Sequence, residues 1–449
     1  RNKILSLSLL IEAFLYEEQT RRGVSLQHFS EFNDLADHCT VCHRCFHPCP
    51  VDIDFGDVTI AMRNFLRKQK KKSFSLASFL AMRFLSLKDP ATIKLTRKVM
   101  IDYGYRAQRL AFHLGKSLGL IQGSVRHPHA TLGRPGIKSE IIHLINKPMP
   151  RGIPSRTPRA MLDIEDNTII PVIRDPLKTT EETEAVFYFP GCGAERLFSQ
   201  IGLATQAMLF DMGIITVLPP GYLCCGYPQT AAGMDDLGQK ITTENRVLFH
   251  RVANTLNYLD IKTVIVSCGT CMDQLQAYEF ERIFPACRLL DIHEYLMEKG
   301  VRLEKSGEET RYLYHDPCHS PMKTYAPLKV VNTLLGAAAG REISLSERCC
   351  GESGTFSITR PDIATQARFR KQREIEQGTA SLRVDGFKGA VKLLTACPSC
   401  LQGLSRYRKD AAFKSDYVLI ELARQLLGKQ WLTDYVEKVN AGGIERVIV

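Results

Sequence analysis

Fourteen of the fifteen cysteines in this 449-residue chain fall into sets whose spacing suits thiolate ligation. The densest stretch is Cys224-Cys225-Gly226-Tyr227-Pro228, and it recurs as Cys349-Cys350-Gly351. Each pair has a lone cysteine upstream, Cys192 or Cys318, and a Cys-x2-Cys downstream, Cys268/Cys271 or Cys397/Cys400. The offset between the copies is 126 residues for the lone cysteine, 125 for the pair and 129 for the Cys-x2-Cys. Five cysteines that keep register in this way mark a duplicated segment. Five thiols per copy also exceed the four that a tetrahedral zinc or a cubane cluster uses. Adjacent thiolates in a tight turn can ligate two different irons, and the glycine after them permits positive φ or close backbone approach. The set predicts an extended iron–sulfur cluster in each copy. A vicinal disulfide or a zinc site explains one pair better than two matched sets of five.

A separate motif, Cys39-x2-Cys42-x2-Cys45-x3-Cys49-Pro50, has the bacterial ferredoxin spacing and predicts a 4Fe–4S cluster. The short gaps let three thiolates wrap one face of the cube. In two-cluster proteins the fourth cysteine, before proline, serves the other cluster. No second motif of this kind is present. Either Cys49 closes this cluster itself, or the partner motif lies upstream of Arg1 or on another chain. A zinc knuckle would use paired Cys-x2-Cys units or Cys/His sets, so His38, His43 and His47 are read as spacers or hydrogen-bond donors rather than ligands. Cys287 is left over and reads as a small buried hydrophobe. His315, Asp316 and His319 flank Cys318. They are either loop polarity with hydrogen bonds to the cluster or a proton-delivery group, and no catalytic residue is assigned.

The elements that must position these cysteines are legible in outline. Residues 1–38 and 58–125 show helical periodicity. From His127 to Glu184 prolines are dense, which predicts an extended linker with little core of its own. Beyond Ala185 the pattern is α/β, with short apolar strands at Val186–Phe189, Ile214–Leu218, Thr263–Val266, Tyr312–Tyr314 and Val391–Leu394. Helices are expected near 198–212, 237–259, 328–335 and 363–377. The cysteines follow strands, where open α/β sheets place their sites. The expected organisation is an α-helical ferredoxin-like segment followed by an α/β domain of two pseudo-twofold repeats. Its parts are a ferredoxin-type domain over 1–126, incomplete at its N-terminus, a linker over 127–184, a first repeat over 185–300 and a second over 301–449.

Composition narrows the setting. With 44% hydrophobic and 24% charged residues the chain can bury large cores, and disorder is not expected. A chain of this size without a visible signal peptide is a poor candidate for a disulfide framework, and clustered cysteines then point to metal or redox chemistry. The net charge of +11 suits an anionic cluster, whose thiolates nearby Lys and Arg partly balance. The basic run Arg67–Lys72, followed by apolar residues 74–87, is either a solvated face or a contact with anionic lipid headgroups beside a membrane quinone. No apolar run reaches the ~20 residues of a membrane helix.

The spacings Cys-x31-Cys-Cys-Gly-x41-Cys-x2-Cys and Cys-x30-Cys-Cys-Gly-x45-Cys-x2-Cys resemble the duplicated cysteine-rich (CCG) domain. That domain is found in heterodisulfide reductases, in the iron–sulfur subunits of anaerobic glycerol-3-phosphate dehydrogenase and glycolate oxidase, and in lactate-utilisation proteins. With the ferredoxin motif, the resemblance extends to the C-terminal part of large FAD-linked dehydrogenases similar to D-lactate dehydrogenase. It implies noncubane 4Fe–4S clusters, one held by Cys192, Cys224, Cys225, Cys268 and Cys271, the other by Cys318, Cys349, Cys350, Cys397 and Cys400. It further implies an electron-transfer module of an oxidoreductase, in the cytoplasm or peripheral on the inner face of a membrane. Electrons would come from a flavin domain or partner that oxidises a 2-hydroxy acid and leave to a quinone or a carrier protein. No Gly-x-Gly-x-x-Gly fingerprint is present, so FAD is expected only upstream or on a partner. The rival expectations are a disulfide reductase acting at a repeat cluster and a zinc-stabilised scaffold without enzymatic activity. No nucleic acid is expected as partner.

Overall fold

The computed structural model describes residues 32–121, 135–303, 310–336, 343–352, 356–384, 386–408 and 413–449. The helix expected over the first thirty residues lies outside them. Among the described residues ten strands form two sheets: β1 Ile169–Ile173, β2 Ala185–Phe189, β3 Ile215–Val217, β4 Ile261–Val266, β5 Arg288–Asp291, β6 Thr310–His315, β7 Ser344–Leu345, β8 Ala390–Thr395, β9 Lys414–Tyr417 and β10 Ile444–Ile448. One sheet runs β10-β1-β3-β2-β4-β5 and the other β7-β6-β8-β9. Strands β3-β2-β4-β5 of the first sheet and all four of the second are parallel and in the same order.

Parallel strands covered on both faces read as unbroken apolar runs, and β2, Ala-Val-Phe-Tyr-Phe, is buried at every position. Its side chains divide by parity, as strand geometry requires. Val186 and Tyr188 join a core shared with Tyr312, Tyr314 and Leu394 of the second sheet. Phe187 and Phe189 join a separate core with Phe249, Tyr278 and Phe280. Helix Ser199–Asp211 lies in the shared core and is buried all round except at Gln200 and Asp211. That explains why its sequence shows little amphipathic pattern. Cys287 is buried in the outer core of the first sheet, as a small hydrophobe would be.

The span expected to be extended is corrected in part. Helices Ile137–Ile145 and Pro158–Leu162 form in it, and β1 pairs antiparallel with both β10 and β3. The apolar run Ile-Ile-Pro-Val-Ile outweighs its proline. Pro171 gives up one donor, but its carbonyl still accepts from Leu218 N–H at 2.9 Å.

Helices Phe55–Lys68, Leu76–Ser86 and Pro90–Arg97 are each capped by a side chain that accepts from the first turn: Asp54, Ser75 and Asp89. Cations on carbonyls anchor this segment. Arg63 donates to Ala36, Cys39 and Ala231 carbonyls. Arg67 reaches the Ala232 carbonyl at 3.0 Å, and Lys72 pairs with Asp37 at 2.7 Å. Part of the basic run is therefore an internal anchor, while Lys68 and Lys70 remain exposed. Among the described residues no helix is long and apolar enough to cross a membrane.

Candidate metal centre

The cysteines stand where chain and sheet place them. β2 ends at Phe189 and delivers Cys192 across Pro190-Gly191, followed by a widened π turn over Gly193–Leu197. Gly191 has φ of 70°, and a Cβ there would lie 2.6 Å from Cys271 Sγ. Only glycine lets the Cys192 loop approach Cys271 this closely. Beyond β3, Cys224 Sγ lies 3.8 Å from Cys192 Sγ. The next glycines have positive φ in both copies, 96° at Gly226 and 78° at Gly351, as the tight turn requires. β4 and β8 lead into Cys268 and Cys397, and Cys271 and Cys400 fall in the first turn of the helices that follow. Tyr278 donates to the Cys225 carbonyl at 2.9 Å and Tyr407 to the Cys350 carbonyl at 3.2 Å.

The two cysteine sets face each other. Gly193 packs with its would-be Cβ 3.1 Å from Pro398, and Gly269 lies so close to the His319 carbonyl that a Cβ would overlap it. These contacts correspond under the repeat offsets: the residue after each lone cysteine meets the residue after the first cysteine of the other copy's Cys-x2-Cys. The Tyr417 hydroxyl lies within 3.0 Å of the carbonyls of Ser267 and Ala396, which immediately precede Cys268 and Cys397.

A cavity of about 530 Å³ lies where these loops converge. Cysteines from all three sets line it: Cys39 and Cys42, then Cys192, Cys225, Cys268 and Cys271, then Cys318, Cys349, Cys350, Cys397 and Cys400. Cys224, Cys45 and Cys49 do not reach the cavity wall. Cys45 Sγ accepts from Phe55 N–H at the start of helix Phe55–Lys68, and Cys49 Sγ accepts from Ile53 N–H, each at 3.3 Å. The described cysteines carry no disulfides.

Electrostatics favour thiolate ligation. Cys224 is held well below the usual thiol range by sulfur–sulfur hydrogen bonds with Cys192 and Cys225. Cys268 falls to about 6, chiefly through Cys271. In the second copy Cys350 is held low by Cys349 and Cys400. The first set thus concentrates charge on two sulfurs and the second on one, with protons kept on their hydrogen-bonded neighbours. Metal loading releases such protons and relieves the repulsion. Five convergent sulfurs per set, all buried in the first and three of the five buried in the second, fit an iron–sulfur group and exceed what one zinc takes.

Cys42 and Cys318 meet through a polar bridge. The Tyr227 hydroxyl lies 3.1 Å from His319 Nε2 and 3.4 Å from His43 Nε2. His319 also reaches Asp273 at 2.5 Å and the Val41 carbonyl at 2.8 Å. His43 is thus a bridging side chain beside the motif. His38 instead bonds the Asp34 carbonyl at 2.6 Å. Four residues of the second copy escape sequence reading because they are not cysteines. They are Glu352, Arg368, Lys371 and Arg406, all buried around Cys349-Cys350. A position-by-position comparison of the two copies would expose them, since none has a charged counterpart in the first.

Residues 186–276 and 312–405 match the cysteine-rich domain family (CCG), and residues 405–449 match a domain of unknown function (DUF3400). Among relatives, a probable glycolate oxidase iron–sulfur subunit of Bacillus subtilis is 23% identical over 380 residues, 81% of this chain and 75% of that relative. A component of the fumarate reductase (CoM/CoB) of Methanothermobacter marburgensis is 26% identical over 216 residues, 47% of this chain and 40% of that relative. A component of the dihydromethanophenazine:CoB–CoM heterodisulfide reductase of Methanosarcina barkeri is 26% identical over 266 residues, 55% of this chain and 60% of that relative. The chain spans about half the length of several curated relatives that it matches. Residues 186–276 and 312–405 are therefore two copies of the cysteine-rich (CCG) domain.

Proposed function

We propose that this chain is an iron–sulfur electron-transfer module of an oxidoreductase. Cys39, Cys42, Cys45 and Cys49 belong to a 4Fe–4S site. Each five-cysteine set holds a further cluster of noncubane type, and the two repeats are related by a pseudo-twofold axis. The bound clusters supply one-electron transfer. The observation that carries the reading is the convergence of all three cysteine sets on one cavity, which keeps the hops between clusters short. The chain's own residues bury the sulfurs, exclude water and join the sets through Tyr227, His43 and His319.

Electrons enter from a flavin dehydrogenase, with a 2-hydroxy acid such as lactate or glycolate as the ultimate donor, in line with the name of the Bacillus relative. An apolar acceptor such as a quinone suits the far wall of the cavity, built from Phe79, Met82, Phe84, Met100, Ile101 and Met149. A second reading, reduction of a substrate disulfide between the repeats, draws on the relative named for a heterodisulfide reductase.

Anaerobic iron and sulfide quantification with EPR tests the core of the proposal. Cys224→Ser and Cys349→Ser should each remove the iron of one site and leave the rest. Unchanged cluster content in both variants, or a colourless protein holding zinc without sulfide, overturns it. Reoxidation of the dithionite-reduced protein by a water-soluble quinone or by a disulfide separates the two acceptors.

A further inference from the structure

His315 ends β6, and its counterpart under the 126-residue offset is Phe189 at the end of β2. Both side chains are buried. In the first copy the position is apolar and cannot bind metal. In the second, a ring nitrogen of His315 and the sulfurs of Cys350 and Cys400 all lie within 4.8 Å of one another.

The hydrogen bonds of the ring decide which nitrogen is available. Nδ1 lies 2.9 Å from the Ser346 carbonyl oxygen. A carbonyl cannot donate, so Nδ1 carries the proton and donates. Lys371 Nζ lies 3.1 Å from the same Nδ1, but its protons have other acceptors: Ser346 Oγ at 2.5 Å, Glu374 Oε2 at 2.8 Å and the Ser346 carbonyl at 3.2 Å. That leaves Nε2 as the nitrogen for the sulfur side, where the ring lies in hydrogen-bond reach of Cys350. A histidine that donates one ring N–H to a backbone carbonyl while the other nitrogen faces sulfur ligands has the arrangement of a metal-ligating imidazole.

We propose that His315 is a nitrogen ligand to iron in the second repeat, so that its cluster has mixed Cys/His ligation while the first is held by thiolates alone. The inference rests on the cluster reading above.

Hyperfine spectroscopy of the reduced protein, grown with 15N-histidine, tests this without any turnover assay. The expected result is a strongly coupled histidine nitrogen in the wild type, lost in His315→Gln and kept in His319→Gln. Iron and sulfide at full content with no coupled histidine nitrogen, or a coupling that survives His315→Gln, overturns the assignment and leaves the cluster reading standing. Absence of bound iron and sulfide brings down both. The isotope effect in the wild type decides the matter even if His315→Gln does not fold.

Discussion

The two repeats put the same cysteines after the same strands, yet they stand on different interiors. Behind Cys224-Cys225 lies an aromatic core. Phe249 packs against Phe187 with ring centroids 5.0 Å apart and stacks on Phe280 at 5.9 Å. Behind Cys349-Cys350 lies an ion network. Glu352 is flanked by Arg406 at 3.3 Å and Arg368 at 3.5 Å, and it also accepts from Gln402 and Ser357. The counterparts of Glu352, Arg368 and Arg406 in the first copy are Tyr227, Thr242 and Ala277. Burial, with Arg406 nearby, depresses Arg368 to about 10. One ligand arrangement can therefore be supported by dispersion or by charge, and the two supports fail in different ways. The first fails by leaving a void, the second by leaving a charge without its partner.

The largest effects should come from breaking each support at its centre. Phe249→Ala should cost about 3–5 kcal/mol through lost burial and a cavity. Glu352→Ala should cost about 3–5 kcal/mol because Arg368 and Arg406 are left buried together. The two losses separate in double variants. Adding Arg406→Ala, which restores the residue of the first copy, should recover about 1–3 kcal/mol of the Glu352→Ala loss. No removal of a charge should rescue Phe249→Ala. Denaturant midpoints of the iron-loaded protein measure both, with iron content reporting which site is lost. Equal rescue in both backgrounds, or in neither, would erase the distinction.

A middle-sized effect concerns how the helical segment over residues 32–121 is held by each repeat. On the first, Arg63 is half-buried and bonds the Ala231 carbonyl at 2.6 Å while also clasping the Cys39 carbonyl at 2.8 Å. On the second, Arg44 reaches the carbonyls of Glu347 at 2.7 Å and Asp316 at 3.2 Å, but in exposed positions. Hydrogen bonds from a charged donor contribute about 1.5–3 kcal/mol when sheltered and much less in water. Arg63→Ala should therefore open residues 36–68 to limited proteolysis, and Arg44→Ala should change the cleavage rate little. Equal protection in both variants would show that the anchors are equivalent.

These contrasts also explain how far the sequence can be read. Strand positions are visible because apolar runs such as Val186–Phe189 and Thr263–Val266 end directly at cysteines, and the offset of the copies carries each assignment across. β1 and β10 are hidden. β1 contains Pro171 within a proline-dense stretch, and β10 is a half-exposed strand, Ile-Glu-Arg-Val-Ile, far along the chain from its partner. Antiparallel pairing of such distant strands leaves no local spacing to detect. The role of His315 is hidden differently. The residue stands beside Cys318 in the sequence, but its approach to Cys350 and Cys400 depends on two loops and on Lys371, separated from it by 56 positions. The cation run at 67–72 misleads because spacing cannot distinguish Arg67, which docks on Ala232, from Lys70, which points to water.

The smallest expected effect compares two tyrosines that do the same task. Tyr278 and Tyr407 each donate to the carbonyl of the second cysteine in their Cys-Cys turn, and both are buried. Removing one hydroxyl should cost about 1 kcal/mol. Their surroundings differ, however. The Tyr278 hydroxyl also accepts from Asn245 at 3.0 Å, and Asn245 in turn donates to the Cys224 carbonyl at 2.8 Å. Tyr407 lacks that link, because the counterpart of Asn245 is Lys371, which is committed to Ser346 and Glu374. Tyr278→Phe therefore loosens both carbonyls of its turn, whereas Tyr407→Phe loosens one. The first variant should lose more stability by roughly a few tenths of a kcal/mol, and its iron should be released faster to a chelator. If Tyr407→Phe proves the more damaging, the ion network rather than the hydroxyl relay sets the rigidity of the Cys-Cys turn, and the two supports are less alike than their cysteines suggest.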